Sequence, residues 1–201
     1  GPLALVLNLA SFGTDLGLKF MVVLGSNDQG KAYNLDVTLT ATFSFAHGLT
    51  MFDFRGSFRV MSNGISAATV GREDRSPIAG YVGLTLNMPP GGPTVLDGCF
   101  FVKLKVPYEM DPPILGGIGR LDSVPPGWTA EHALVWAKFF AGEDNWYFHM
   151  GTPTNRCGVR LAIGPIELLR VTNYLMVGHG VPVIMPEPDS VFLSIFERAK
   201  V

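Results

Sequence analysis

Charge is scarce in this sequence. Only 16% of its 201 residues are Asp, Glu, Lys or Arg, where an average soluble chain has roughly 25%, and 47% are hydrophobic. Such a chain has ample apolar surface to bury, which excludes disorder driven by excess charge. Fifteen basic against 17 acidic side chains give a net charge of -2, with no basic surplus to meet a phosphate backbone, so nucleic acid is not expected as a partner. Cysteine is almost missing. Cys99 and Cys157 are too few for a disulfide framework or a four-cysteine metal site, and are read as two free thiols, with one bond between them as the alternative. Long hydrophobic runs are missing as well: Gly, Pro or a charge interrupts each stretch before the roughly 18 to 20 residues of a membrane-spanning helix. Tyr174 to Met185, for example, is cut by His179 and Pro182. A membrane is therefore not an expected partner.

Signatures of catalysis are also lacking. His47, His132, His149 and His179 sit neither in an HExxH arrangement nor three to five residues from another His or Cys, so no metal and no cofactor is expected. There is no GxSxG elbow and no phosphate-binding GxGxxG or GxxxxGK[ST] loop. Gly116-Gly117-Ile118-Gly119 is glycine-rich but precedes no helix, and is read as a flexible turn. Arg156 alone is weak support for a reactive thiolate at Cys157. Catalysis is the lesser expectation.

What the chain does have is turns and alternation. Its 24 glycines and 15 prolines signal many reversals rather than long helices. Val37, Leu39, Ala41, Phe43 and Phe45 alternate with Thr38, Thr40, Thr42 and Ser44, a period of two that predicts a strand with one wet face. After the turn at His47-Gly48, Phe52, Phe54, Phe58 and Val60 alternate with Asp53, Arg55, Ser57 and Arg59, completing a long hairpin in which Gly56 marks a bulge or the close approach of another backbone. Asn63-Gly64 predicts a tight turn. Tyr81 to Met88 and Phe100 to Val106 make a second hairpin, with Asp97-Gly98 as the turn at its edge. The segment 107–131 has no period; it is either a long functional loop or a small lobe with short strands of its own. His132 to Phe140 is apolar on both faces and is expected to be central, and short strands follow over 146–150, 158–163, 166–171 and 173–177. Asp189 or Ser190 caps an expected helix over Val191 to Lys200. The fold class is thus all-β, an antiparallel β-sandwich or a stacked long-hairpin meander, with one short C-terminal helix. Gly1-Pro2 looks like the remnant of a removed purification tag, and residues 3–201 are expected to form a single β-rich domain excerpted from a larger protein.

One cadence resembles a known group. Trp146-Tyr147-Phe148-His149-Met150-Gly151-Thr152-Pro153, followed by Tyr174-Leu175-Met176-Val177-Gly178-His179-Gly180-Val181-Pro182, is similar to β-rich segments of very large, uncharacterised bacterial secreted or surface proteins, over about residues 136–197. The resemblance implies a secreted or cell-surface location and partners among flanking domains of the same polypeptide or other proteins, and carries over no catalytic residue.

Three functions are in view. The first is a non-catalytic structural or interaction domain, for which no deep polar cleft is expected and any exposed apolar patch belongs at a truncated end or an edge strand. The second is a carbohydrate-binding or carbohydrate-cleaving module: Trp128, Trp146, Tyr147 and His149, with Trp136 nearby in sequence, could stack on sugar rings beside Glu143 and the further carboxylates Glu131 and Asp144. The third is a lipid-facing or pore-forming sheet, because alternation with one apolar face is also the barrel signature; Phe52, Phe54 and Phe58 would then face lipid.

Overall fold

The computed structural model describes residues 3–12, 15–64, 66, 69–73 and 75–180. Gly1-Pro2 and the expected helix over Val191 to Lys200 lie outside the described residues. The described chain is all-β and contains no helix. Twelve strands form one antiparallel sheet: β1 (Leu3–Phe12), β2 (Asp15–Gly25), β3 (Tyr33–Ser44), β4 (Gly48–Val60), β5 (Ile78–Asn87), β6 (Val95–Val106), β7 (Leu115–Gly117), β8 (Ala133–Ala141), β9 (Trp146–Met150), β10 (Cys157–Ile163), β11 (Ile166–Asn173) and β12 (Leu175–His179). Strands β1 to β6 follow each other as a meander. The far side of β6 is then shared: Leu96 to Lys103 pair with β8, and Lys105 and Val106 pair with β7. The sheet forks there into β8-β9-β12 and β7-β10-β11, and it does not close into a barrel.

Several expectations need adjusting. Leu16, Leu18, Phe20, Val22 and Leu24 share one face of β2, with Gly17, Lys19, Met21 and Val23 between them; neither β1 nor β2, where residues 20–24 are apolar without a break, was expected from the pattern. Asn63-Gly64 opens no tight hairpin; it begins the long connection 61–77. Asp97 and Gly98 lie inside β6, paired with Thr85 and Leu84. Gly56 keeps regular register with Val37 and Val82, and its nearest neighbour is the Val82 side chain rather than another backbone. Gly116 and Gly117 belong to β7, so the glycine-rich run is strand rather than flexible turn. Within 107–131 the chain thus does form a short strand, then crosses the sheet as a covering loop that buries Leu121 and Trp128.

Register fixes what each face carries. One row across the sheet reads Phe20, Leu39, Phe54, Leu84, Gly98, Phe139, Phe148, Val177, and the next reads Val22, Val37, Gly56, Val82, Phe100, Ala137, Met150, Leu175. Directly paired residues share a face, so this face is apolar from β2 to β12. The opposite face collects every charged residue of β2 to β6 and β8, including Lys19, Asp36, Asp53, Arg55, Arg59, Asp97, Lys103 and Lys138.

The face expected to be wet is the covered one. The described residues of connection 61–77, and loop 118–130, lie over the polar face, where Asn34, Asp36, Ser57, Arg59 and Lys103 are buried beside a core of Ala79, Tyr81, Phe101, Leu121, Trp128, Ala133, Trp136 and Cys157. Phe101 stacks on Tyr81 at 5.4 Å, and Trp128 meets Phe101 edge-on at 5.0 Å. The apolar face stays half-buried, and nothing among the described residues roofs it. The exposed apolar surface is therefore a whole sheet face, together with the edge strand β11, whose Ile166, Leu168, Leu169 and Val171 are exposed.

Two glycines shape that face. A Cβ at Gly80 would stand 2.0 Å from the Phe58 ring, and one at Gly98 would stand 1.9 Å from the Phe139 ring, so each ring lies across the glycine of the neighbouring strand. Gly98→Ala is expected to destabilise the fold by about 1–3 kcal/mol, because the ring has to leave its rotamer. Urea unfolding measures this, and an unchanged midpoint would contradict the packing.

Candidate functional site

The polar face is where chemistry could be done, and two buried cations organise it. Arg59 projects from β4. Its Nη2 donates to Asp36 Oδ2 (2.7 Å), Ser57 Oγ (2.8 Å) and the carbonyl of Thr69 (2.7 Å), its Nε donates to the carbonyl of Arg72 (2.5 Å), and its Nη1 donates to Asn34 Oδ1. Asp36 also accepts from the backbone N–H of Gly71 at 3.1 Å. Lys103 projects from β6 and donates to both oxygens of Glu73 (2.8 and 2.7 Å), to the carbonyl of Thr129 (3.0 Å) and to its hydroxyl. Burial pulls the Lys103 ammonium below its ordinary range, and the bond to Glu73 opposes that pull. The two loops are stapled to each other: Glu73 N–H donates to Gly127 O (3.1 Å), and Trp128 Nε1 donates to Gly71 O (2.7 Å). Gly127 has φ +86, and a Cβ there would stand 2.5 Å from Arg72 Cγ; only glycine suits that crossing.

Beside this roof runs a groove of about 250 Å³, lined by Asp53, Arg55, Tyr81, Gly83, Thr85, Asp97, Cys99, Lys138 and the segment 121–126. It shares Asp53, Arg55, Tyr81, Thr85, Pro125 and Pro126 with a larger space of about 540 Å³ that reaches Lys19 and Asp36. A polar groove was not expected of a purely structural sheet. Two ion pairs take up four of its five charges, however, with Asp97 outside them. Asp53 accepts from Arg55 Nε at 2.8 Å and from Thr85 Oγ1 at 2.8 Å, and Lys138 faces Asp122 at 3.6 Å. Burial and the nearby Asp97 push the Cys99 thiol up, away from a reactive thiolate, and burial does the same at Cys157. Both cysteines are free, and Cys157 takes a structural place, its Sγ accepting from Trp136 N–H at 3.2 Å. A second cleft, about 330 Å³, gathers Arg120, Arg160, Arg170, Glu131 and His132 around Gly116 to Gly119. Arg170 is bound to Glu167 at 2.8 Å, and Arg160 approaches the same carboxylate at 3.6 Å. Among the described residues no group of three or more His, Cys, Asp or Glu side chains could hold a metal ion.

The five residues expected to form a ligand platform are dispersed. Trp128 is buried in the core. Trp146 and Tyr147 are neighbours on β9 and so point to opposite faces: Trp146 is 45% exposed at the rim of the apolar face, and Tyr147 lies on the polar face. Tyr147 stacks on Phe140 at 5.7 Å and on His149 at 4.6 Å, which makes a short aromatic row. Glu143 is exposed in the turn between β8 and β9. The structure thus joins Tyr147 to His149 and separates Trp128, Trp146 and Glu143 from them. Arg59, Lys103, Asp36 and Glu73 are the residues sequence reasoning passed over. Arg59 and Lys103 stand at polar positions of alternating strands, where solvation is the ordinary reading; no local signal marks them as buried.

Two outcomes test this arrangement. Arg59→Ala leaves Asp36 buried without its partner and is expected to cost about 3–5 kcal/mol. Arg55→Ala, at a side chain 58% exposed, should cost no more than about 1 kcal/mol. Urea unfolding of both variants gives the contrast; equal losses would remove the distinction. The second outcome concerns acid. Burial and Lys138 hold His149 below the ordinary imidazole range, and burial with Lys105 does so at His132, against Asp111. The unfolded chain then takes up protons first as pH falls, so this contribution to stability is complete above about pH 6.5 and is lost as pH drops from there through the folded values. The melting temperature should fall over that window, and His149→Phe, which keeps the ring on Tyr147, should flatten the fall. An unaltered pH dependence in the variant would exclude His149 as a contributor.

No protein-family model, no curated protein and no solved structure matches the chain.

Proposed function

We propose that the chain is a non-catalytic structural and interaction sheet of a secreted or surface-associated assembly, working through its apolar face. One observation carries this: every charged side chain of β2 to β6 and β8 sits on one face, and the other face, which has none, is left uncovered. Phe100, Phe148 and Trp146 on that face are 37%, 37% and 45% exposed. Soluble monomers rarely leave an apolar patch above about 300–600 Å². A sheet of eight strands spaced at about 4.8 Å, with apolar spans near 30 Å, presents on the order of 1,000 Å². Ion pairs in the grooves support the same reading: Asp53 with Arg55, Asp122 with Lys138, and Arg160 and Arg170 with Glu167.

Detergent-free sedimentation with a fluorescent apolar dye tests it. The chain is expected to bind the dye and to self-associate or partition onto apolar material, and Phe54→Lys, at the centre of the face, should suppress both. A dispersed monomer that leaves the dye dark would contradict the reading.

A further inference from the structure

The apolar face needs an occupant, and resting on the reading just given, we infer that this occupant is the hydrocarbon of a lipid bilayer. Charge is the first argument. The face is uncharged from Leu16 on β2 to Phe148 on β9, while the charges collect on the opposite face, many of them beneath its loops. That is the order of a membrane sheet, apolar outside and polar inside, and the reverse of a soluble sandwich. The described residues of connection 61–77, and loop 118–130, had two faces to cover. They roof the polar one, where Arg59 and Lys103 need partners, and leave the phenylalanines bare.

Length is the second argument. The apolar span of β2 runs from Leu16 to Leu24, nine residues, and β3 to β6 and β8 are 9–13 residues long; a tilted strand crosses hydrocarbon with about 9–11. Strands β9 and β12, five residues each, reach only part of the way. Its rims carry aromatic rings: Tyr33 at one end, and Trp146 with the exposed Phe45 at the other. Such belts sit at the headgroup level.

The third argument is that the two ends of the strands differ. Connections 45–47, 88–94 and 142–145 are short and lie at one end; at the other, 26–32 is as short as 88–94, but 61–77, 107–132 and 151–174 are long, the last containing β10 and β11. Membrane barrels show this asymmetry, with short turns on one side of the bilayer and long loops on the other. A sandwich of two copies would cover the face too, but both of its rims would meet the same water. No helix among the described residues is long and apolar enough to cross a membrane; strands β2 to β6 and β8 would do so here, with the edge at β1 and the part of β8 beyond the short β9–β12 ribbon paired to further strands, because lipid cannot satisfy a bare edge.

The test uses the whole 201-residue chain, diluted from urea into zwitterionic phosphatidylcholine vesicles at high salt, followed by flotation. The chain should float with the vesicles. Phe54→Lys should weaken binding on the order of 100-fold, while Thr42→Lys, with the same charge on the polar face, should float as the parent does. Acyl chains brominated near the headgroup should quench Trp146, and those brominated at depth should quench best in Phe54→Trp. Trp128 and Trp136, buried on the other face, should stay bright, and circular dichroism checks that each variant keeps its sheet. Flotation without acyl-chain quenching would overturn the inference. So would a chain that ignores vesicles and forms dimers broken by Phe54→Lys; that result would keep the structural reading and assign the face to a second copy. A monomer that neither floats nor associates would overturn both.

Discussion

Two cations taken out of water hold this molecule's layers together. Burying a guanidinium or an ammonium costs several kcal/mol unless each N–H finds an acceptor. Neither Arg59 nor Lys103 finds enough acceptors on the sheet. Arg59 takes Asp36, Asn34 and Ser57 from β3 and β4 but needs the carbonyls of Thr69 and Arg72 from the loop above. Lys103 needs Glu73 and Thr129, one from each of the two loops. The loops add backbone and short-side-chain bonds to the strands, from Gly71 N–H to Asp36, from Asn34 Nδ2 to Ser62 Oγ, from Ile118 N–H to Gly158 O, and both ways between Gly119 and Ala133, but the charged contacts over the sheet are those of Arg59 and Lys103. Sheet and roof are therefore mutually dependent, and the position of the roof follows from where two side chains stand on two strands.

The period-two pattern made most of this legible. Alternation at 37–45 and 52–60 located β3 and β4, and their pairing of Leu39 with Phe54 and Ala41 with Phe52 follows once the hairpin is granted. The same logic found β5, β6, β8 and β9, with ends misplaced by a few residues where Gly98 and Asp97 looked like a turn. Those two lie in mid-strand because the Phe139 ring covers the glycine, a cross-strand relation that local sequence does not contain. Alternation says which residues share a face. It does not say which face is covered.

That second question decided the candidate site. Asp53, Arg55, Ser57 and Arg59 read as a solvated row, and Arg55 is indeed solvated. Arg59, four residues on, is 2% exposed, because a loop ten to thirteen residues further along turns back over it. The ligand platform failed to assemble for a related reason. Trp146 and Tyr147 are adjacent in sequence, and adjacency in a strand sends side chains to opposite faces. Trp128 is aromatic and near them in sequence, yet it serves as the plug of the core beneath loop 118–130.

A directional demand and a non-directional one compete for the same loops. The polar face asks for acceptors at fixed positions and angles, which only ordered protein can supply. The apolar face asks merely for the absence of water. A chain with two long connections on one side of its sheet meets the directional demand with them, since nothing else could, and the other face is left to whatever apolar medium or surface adjoins it. Flat rings over Gly80 and Gly98 fit such a neighbour: a second sheet interlocks with projecting side chains, whereas disordered hydrocarbon needs no sockets. The exposed Phe100 and Phe148 beside the buried Arg59 and Lys103 are then one solution seen from two sides, with the charges enclosed because protein can pair them and the rings left outside because they need no partner of fixed shape.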